Sequence, residues 1–125
     1  MNPYDHAHAL AKAIREWEPF LRAREAVRAL DQDPSAKDML IDYLRRRMRM
    51  EAKQLRGDRL TEEEVSTMQK LAEVVQLNVN VNKYLQADRE LQTLLMDVHA
   101  ILAKTLADVQ VVSAAEMFEE MGRNE

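Results

Sequence analysis

Apolar residues recur every three or four positions along most of this chain, the spacing that gathers them on one face of a helix. Tyr4, Ala7, Leu10, Ile14 and Trp17 follow it behind Asn2-Pro3, a cap residue and then a proline at the first helical position, where a missing N–H removes no bond. Pro19 disfavours helical geometry at Glu18 and predicts a break there, before a second helix carrying Phe20, Val27 and Leu30. Asp33-Pro34 repeats the start signal. A third helix is expected over 34–56, with Leu40, Tyr43, Leu44, Met48 and Leu55 inward and Gly57 as its stop. Thr61 and Glu64 read as a capping box flanked by Leu60 and Val65 as a staple, and Glu62, Glu63 and Glu64 suit the positive end of a helix dipole. The fourth helix places Val65, Met68, Leu71, Ala72 and Val75 on one face.

The stretch Leu77-Asn78-Val79-Asn80-Val81-Asn82 breaks this rhythm and alternates like a half-buried strand. A lone strand in a helical chain has no partner for its backbone groups. Asparagine both ends and caps helices, so Asn78 is read as the hinge between the fourth and fifth helices, with Val81 and Leu85 one turn apart behind it. From there Leu91, Leu95, Val98, Leu102, Thr105 and Val109 step by 4, 3, 4, 3 and 4, and Leu94 and Ile101 widen the stripe. About 30 residues of helix reach roughly 45 Å, whereas a compact domain of this length has a radius of gyration near ~14 Å. The rod therefore predicts an apolar face in need of a partner, most simply a second copy. A single domain over residues 1–110 is expected, followed by a weakly ordered or short helical tail over 111–125 with Val112, Ala115, Met117, Phe118 and Met121 as its apolar set.

Composition sharpens the fold class. Two glycines and three prolines in 125 residues leave a chain rich in helix formers, which predicts an all-α helical bundle of about five helices with a long C-terminal amphipathic helix. The absence of cysteine excludes disulfides, thiolate metal sites and cysteine nucleophiles in this chain. No basic-then-apolar leader opens the sequence and no apolar run approaches the ~20 residues that span a bilayer, so a cytoplasmic protein without membrane contact is expected.

The segments NPYDHAHALAKAI, DPSAKDMLIDYLRRRMRMEAKQLRG, TEEEVSTMQKL and NKYLQADRELQTLLMDVHAIL resemble, in order and spacing, the YlbF/YmcA family of small bacterial helical proteins, particularly its YheA-like branch. The resemblance covers about residues 2–110 and rests on packing and capping patterns rather than catalytic signatures. It implies a helical bundle that self-associates, and a regulatory role. The better understood relatives act with a third protein, YaaT, as accessory factors of the endoribonuclease RNase Y. Relatives have also been associated with cysteine-held iron–sulfur clusters; this chain has no cysteine, so no cofactor is expected here.

Net charge is −4, yet residues 37–59 carry +4, leaving −8 elsewhere. Within that segment Arg46, Arg49, Lys53 and Arg56 step by 3, 4 and 3 and form one basic stripe, a candidate surface for a protein partner or RNA. No aromatic residue interleaves it to stack bases, so direct RNA binding is the alternative reading and nucleic acid is not the expected partner. Met50, off the main apolar stripe of its helix, is expected to be exposed beside it; Met39, Met48, Met68 and Met96 read as core filler or adaptable surface. Asp5, His6 and His8 suggest a metal only superficially: the two histidines point ~200° apart on a helix, and Asp5 with His8 supplies two ligands of a needed four. His99 reads as an edge histidine. Glu63/Glu64 and Glu119/Glu120 diverge by ~100° and do not converge on a substrate. With no P-loop, glycine-rich loop or nucleophile–base order, no catalytic residue is assigned and no enzyme activity is expected. Leu91, Leu95, Val98, Leu102 and Val109 are the candidate self-association helix, a dimer being the favoured product.

Overall fold

The computed structural model describes residues 1–112 and 114–123 and is all-α. In chain order the helices are α1 (Pro3–Glu16), α2 (Glu18–Asp31), α3 (Pro34–Leu55), α4 (Glu62–Val75), α5 (Val79–Leu106) and α6 (Ala114–Arg123), with a 3-10 turn at Ala107–Val109 extending α5. Ser113, Asn124 and Glu125 of the expected tail lie outside the described residues. Val111 and Val112 form a bend, Ala114–Arg123 form α6, and the described side chains of this tail face solvent.

Local chemistry sets each boundary. Asn2 Oδ1 accepts from the Asp5 N–H at 3.1 Å and Asp5 Oδ2 accepts from the Asn2 N–H at 3.3 Å, a complete capping box that the sequence reading reduced to Asn2 alone. The break between α1 and α2 falls at Trp17, one residue before the expected Glu18. Pro19 instead sits in the first turn of α2, where helical N–H groups lack partners in any case. Asp33 caps α3 through the Ala36 N–H. At the far end Gly57 adopts φ +83, and the Asp58 and Gly57 N–H groups donate to the Lys53 and Gln54 carbonyls at 3.0 Å each. That is a Schellman stop, which needs a left-handed residue and therefore favours glycine. Asn78 caps α5 with one oxygen that accepts from both the Asn80 and Val81 N–H groups, at 3.0 and 3.1 Å. The alternating LNVNVN stretch is thus a hinge and a helix start.

The core sits at one end of α5. Leu30, Ala36, Leu40, Tyr43, Val75, Val81 and Leu85 form one cluster, joined at its edge by Met39, Leu44, Met68, Leu71, Ala72 and Tyr84. Its most extensive packing is α2 on α5, with small residues Ala23, Ala26 and Ala87 at the crossing allowing close approach. Arg22 on α2 pairs with Glu90 on α5, and Arg47 on α3 reaches Asp88 at 3.9 Å. Along α5, Val81, Leu85 and Ala87 are buried and Leu91, Leu94 and Val98 half-buried.

One expectation about packing fails. Met48 and Leu55 on α3, read as inward, are about two-thirds exposed. They lie seven residues apart on a flank turned away from α4. Nor does α1 join the core, since every one of its residues is at least partly exposed.

Candidate functional site

Two surfaces hold the residues singled out by sequence. The first is a groove of about 280 Å³ between the C-terminal half of α3 and the start of α4. Arg46, Arg49, Met50 and Lys53 line the α3 side because positions three, four and seven apart share a helix face; Glu63, Glu64, Thr67 and Met68 line the α4 side. Met50 is therefore half-buried in the groove wall rather than exposed, which corrects the sequence reading. Lying off the stripe that meets α5, it lies on the one that meets α4. The exposed methionine of this helix is Met48.

The basic stripe is largely neutralised from within. Arg46 Nε donates to both Asp42 oxygens at 3.1 and 3.2 Å, Lys53 Nζ donates to Glu64 Oε2 at 2.9 Å, and Arg56 lies 3.5 Å from Asp58. Among the described residues Arg49 alone of the four has no ion pair. Glu64 is the most engaged carboxylate. Its N–H donates to Thr61 Oγ1 at 3.0 Å, closing the expected cap, while its Oε1 accepts from the Thr61 hydroxyl at 3.3 Å. Lys53 above all, with help from Thr61, holds the Glu64 carboxyl below the usual carboxylate range. Glu63 and Glu64 border the same groove despite their divergent directions on α4, but Glu64 is committed to Lys53. The groove is thus lined by the two methionines Met50 and Met68 together with charged residues of both signs.

The second surface is the distal half of α5. Between Leu91 and Ala107 the only formal charges are Asp97 and Lys104. Leu95 is 55% exposed, Leu102 57% and Val109 78%, with Ile101 and Leu106 also open, while Leu91 and Val98 are half-covered. A helix this apolar around its circumference is normally buried. Of the five residues that the sequence reading assigned to this stripe, Leu95, Leu102 and Val109 are exposed; Leu106, which the 4-3 spacing passes over, is exposed beside them one turn below Leu102.

Elsewhere, Asp5 is turned to the α1 backbone by its capping role, and His6, His8 and His99 are exposed. Among the described residues no group of three or more histidines and carboxylates is placed to hold a metal ion. No helix of the described residues is long and apolar enough to cross a membrane. Burial against the core raises the Tyr84 phenol, with Asp88 adding to the effect.

A family model described as "Control of competence regulator ComK, YlbF/YmcA" matches residues 4–107. A UPF0342 protein of Symbiobacterium thermophilum is 35% identical over 106 residues, spanning 82% of this chain and 92% of that one. The UPF0342 protein YheA of Bacillus subtilis is 29% identical over 109 residues, spanning 87% and 93%. A solved structure, a protein of unknown function (DUF964) from Bacillus stearothermophilus, superposes with a TM-score of 0.68 at 24% identity, covering 85% of this chain and 93% of its own. That likeness bears on the fold.

Proposed function

Because the chain belongs to the YlbF/YmcA family, we propose that it works as a non-enzymatic cytoplasmic adaptor or regulator that self-associates through the distal half of α5. The observation carrying this reading is the apolar set of Leu95 and Leu102 on α5 and Val109 in the 3-10 turn that follows, each more than half exposed on a stretch from Leu91 to Val109 whose only formal charges are Asp97, Lys104 and Asp108. Surface area supports it. A compact monomer of 14.5 kDa exposes about 6,900 Å², whereas this chain exposes 10253 Å². The excess is larger than the ~1,600 Å² that a standard specific interface removes from two partners together.

The α3/α4 groove then remains free for a different protein, with Arg49 as its unneutralised cation. By analogy with the family, that partner belongs to RNA-processing machinery of the RNase Y type. Two measurements separate the parts of this reading. Leu102→Glu is expected to lower the solution mass while helix content by circular dichroism stays unchanged; an unchanged mass rejects the seam. Affinity purification of the whole chain with and without Arg49→Glu, read by mass spectrometry, is expected to recover ribonuclease components only with the native arginine. Recovery of none with either chain rejects the RNA-processing link.

Direct RNA binding is the weaker alternative, since three of the four stripe cations already hold carboxylates. Arg49 alone contributes a log–log salt slope of only about −0.7 on single strands. Retention on RNA that falls steeply with salt, and is lost in Arg46→Glu/Arg49→Glu, is the result that favours it.

A further inference from the structure

The α3/α4 groove does not end at Arg46. A second hollow of about 310 Å³, between Asp42 and Arg46 on α3 and Lys70, Leu71 and Val74 on α4, shares Arg46 and Thr67 with the first. Together they make one trough along the α3/α4 seam, running from Asp42 to Lys53 over about 16 Å of α3. Resting on the reading above, in which this groove receives another protein, we propose that its occupant is an amphipathic helix of about three turns whose apolar stripe is flanked by acidic residues.

Charge supplies the first argument. Arg46, Arg49, Lys53 and Lys70 line the trough against three carboxylates, Asp42, Glu63 and Glu64. Arg46 holds Asp42 and Lys53 holds Glu64. Among the described residues no ion pair involves Arg49, Lys70 or Glu63. The two free cations stand on opposite walls. Measured along the helices from the Lys53–Glu64 pair, Arg49 lies about 6 Å away and Lys70 about 9 Å, so they flank the same stretch. An occupant with a carboxylate on each flank meets both. Glu63, beside the Lys53–Glu64 pair, disfavours a further acidic group at that end.

The form of the occupant follows from the walls. Between the charges lie Met50, Met68 and Leu71, half-buried, and Val74, half exposed, an apolar strip whose methionines adapt to the side chain they meet. Both walls are helices, whose backbone groups bond within the helix, so the trough offers no edge to which an extended strand could pair. A helix brings its own backbone bonds and needs only side-chain contacts. Anchors at i, i+4 and i+7 span about 10 Å and fit within the trough. No aromatic residue lines it, so unpaired bases find no stacking surface.

The test uses the full chain and two fluorescein-labelled, helix-forming peptides of about fourteen residues. One carries leucines at i, i+4, i+7 and i+11 flanked by glutamates; the other has lysine for every glutamate. Anisotropy is expected to show saturable binding of the acidic peptide, roughly tenfold tighter than that of the basic one. Arg49→Glu/Lys70→Glu alters two exposed side chains and is expected to keep the native helix content while reversing the preference. Leu102→Glu, on distal α5, is expected to leave it unchanged. Equal binding of the two peptides, or a preference that survives Arg49→Glu/Lys70→Glu, overturns the proposal. Binding lost in Leu102→Glu places the peptide on α5 and overturns it as well. Binding that emerges only when residues 111–125 are removed makes the chain's own tail the occupant, and retention of labelled single-stranded RNA in place of either peptide makes the trough a nucleic-acid surface; each overturns it. Absence of all binding overturns the acidic-helix assignment, while the ribonuclease recovery described above decides the adaptor reading independently.

Discussion

Gly57 and Asn78 carry more of the architecture than their size suggests, because each ends or starts a helix by satisfying backbone groups that nothing else reaches. A Cβ at Gly57 meets no atom within 4 Å, so Gly57→Ala isolates the cost of the left-handed backbone itself. Unfolding in urea is expected to show a loss of about 1–2 kcal/mol; an unchanged midpoint would mean that the Schellman stop does not set the end of α3. Asn78→Ala removes one oxygen that serves two N–H groups and should cost about 1 kcal/mol. Both residues were legible in sequence, since a glycine after the last apolar position and an asparagine before the first have few other readings. Met50 was not. Periodicity identifies which side chains share a face but not which neighbouring helix that face meets, and Met50 lies on the α4 side while Met48, placed inward on the same pattern, has no helix opposite.

At the scale of elements, α3 and α4 are tied by one ion pair whose pH dependence is open to measurement. Lys53 lowers the Glu64 carboxyl in the folded chain, so the pair stabilises the fold above the ordinary carboxyl value and loses that contribution as pH falls through the lowered one. Glu64→Gln is therefore expected to lower the thermal midpoint slightly at neutral pH, with the difference from the native chain shrinking below about pH 4. A difference that persists undiminished in strong acid would assign the effect to something other than the charge on Glu64. The capping box predicted at Thr61 is present in altered form for the same reason: the carboxylate arm is shared with Lys53, eleven residues away, a contact that local sequence spacing does not contain. The box at Asn2 and Asp5 is complete, and among the described residues no ion pair involves Asp5. Helix α1 shows the other limit of periodicity. Its stripe of Tyr4, Leu10, Ile14 and Trp17 is regular and its caps are sound, yet none of these residues is buried.

The whole molecule is a small core carrying a long arm. Helices α2 and α3 pack on the first half of α5, with α4 against α3, and the second half exposes Leu95 and Leu102 while Val98 is half-covered. That division was foreseeable from length alone, since a rod of about 45 Å outreaches a domain with a ~14 Å radius of gyration. Its direction relative to the body was not, because it depends on which residues of the seam the chain's own helices cover. The YlbF/YmcA relationship agrees with the fold without assigning a reaction, and in the α3/α4 groove Lys53 is paired with Glu64 and Arg46 with Asp42, while Arg49 has no ion pair among the described residues. The function proposed therefore rests on association. Light scattering across a micromolar concentration series tests it most directly: the account predicts a mass of twice 14.5 kDa that falls to 14.5 kDa in Leu102→Glu. A native chain that stays at 14.5 kDa throughout the series contradicts it.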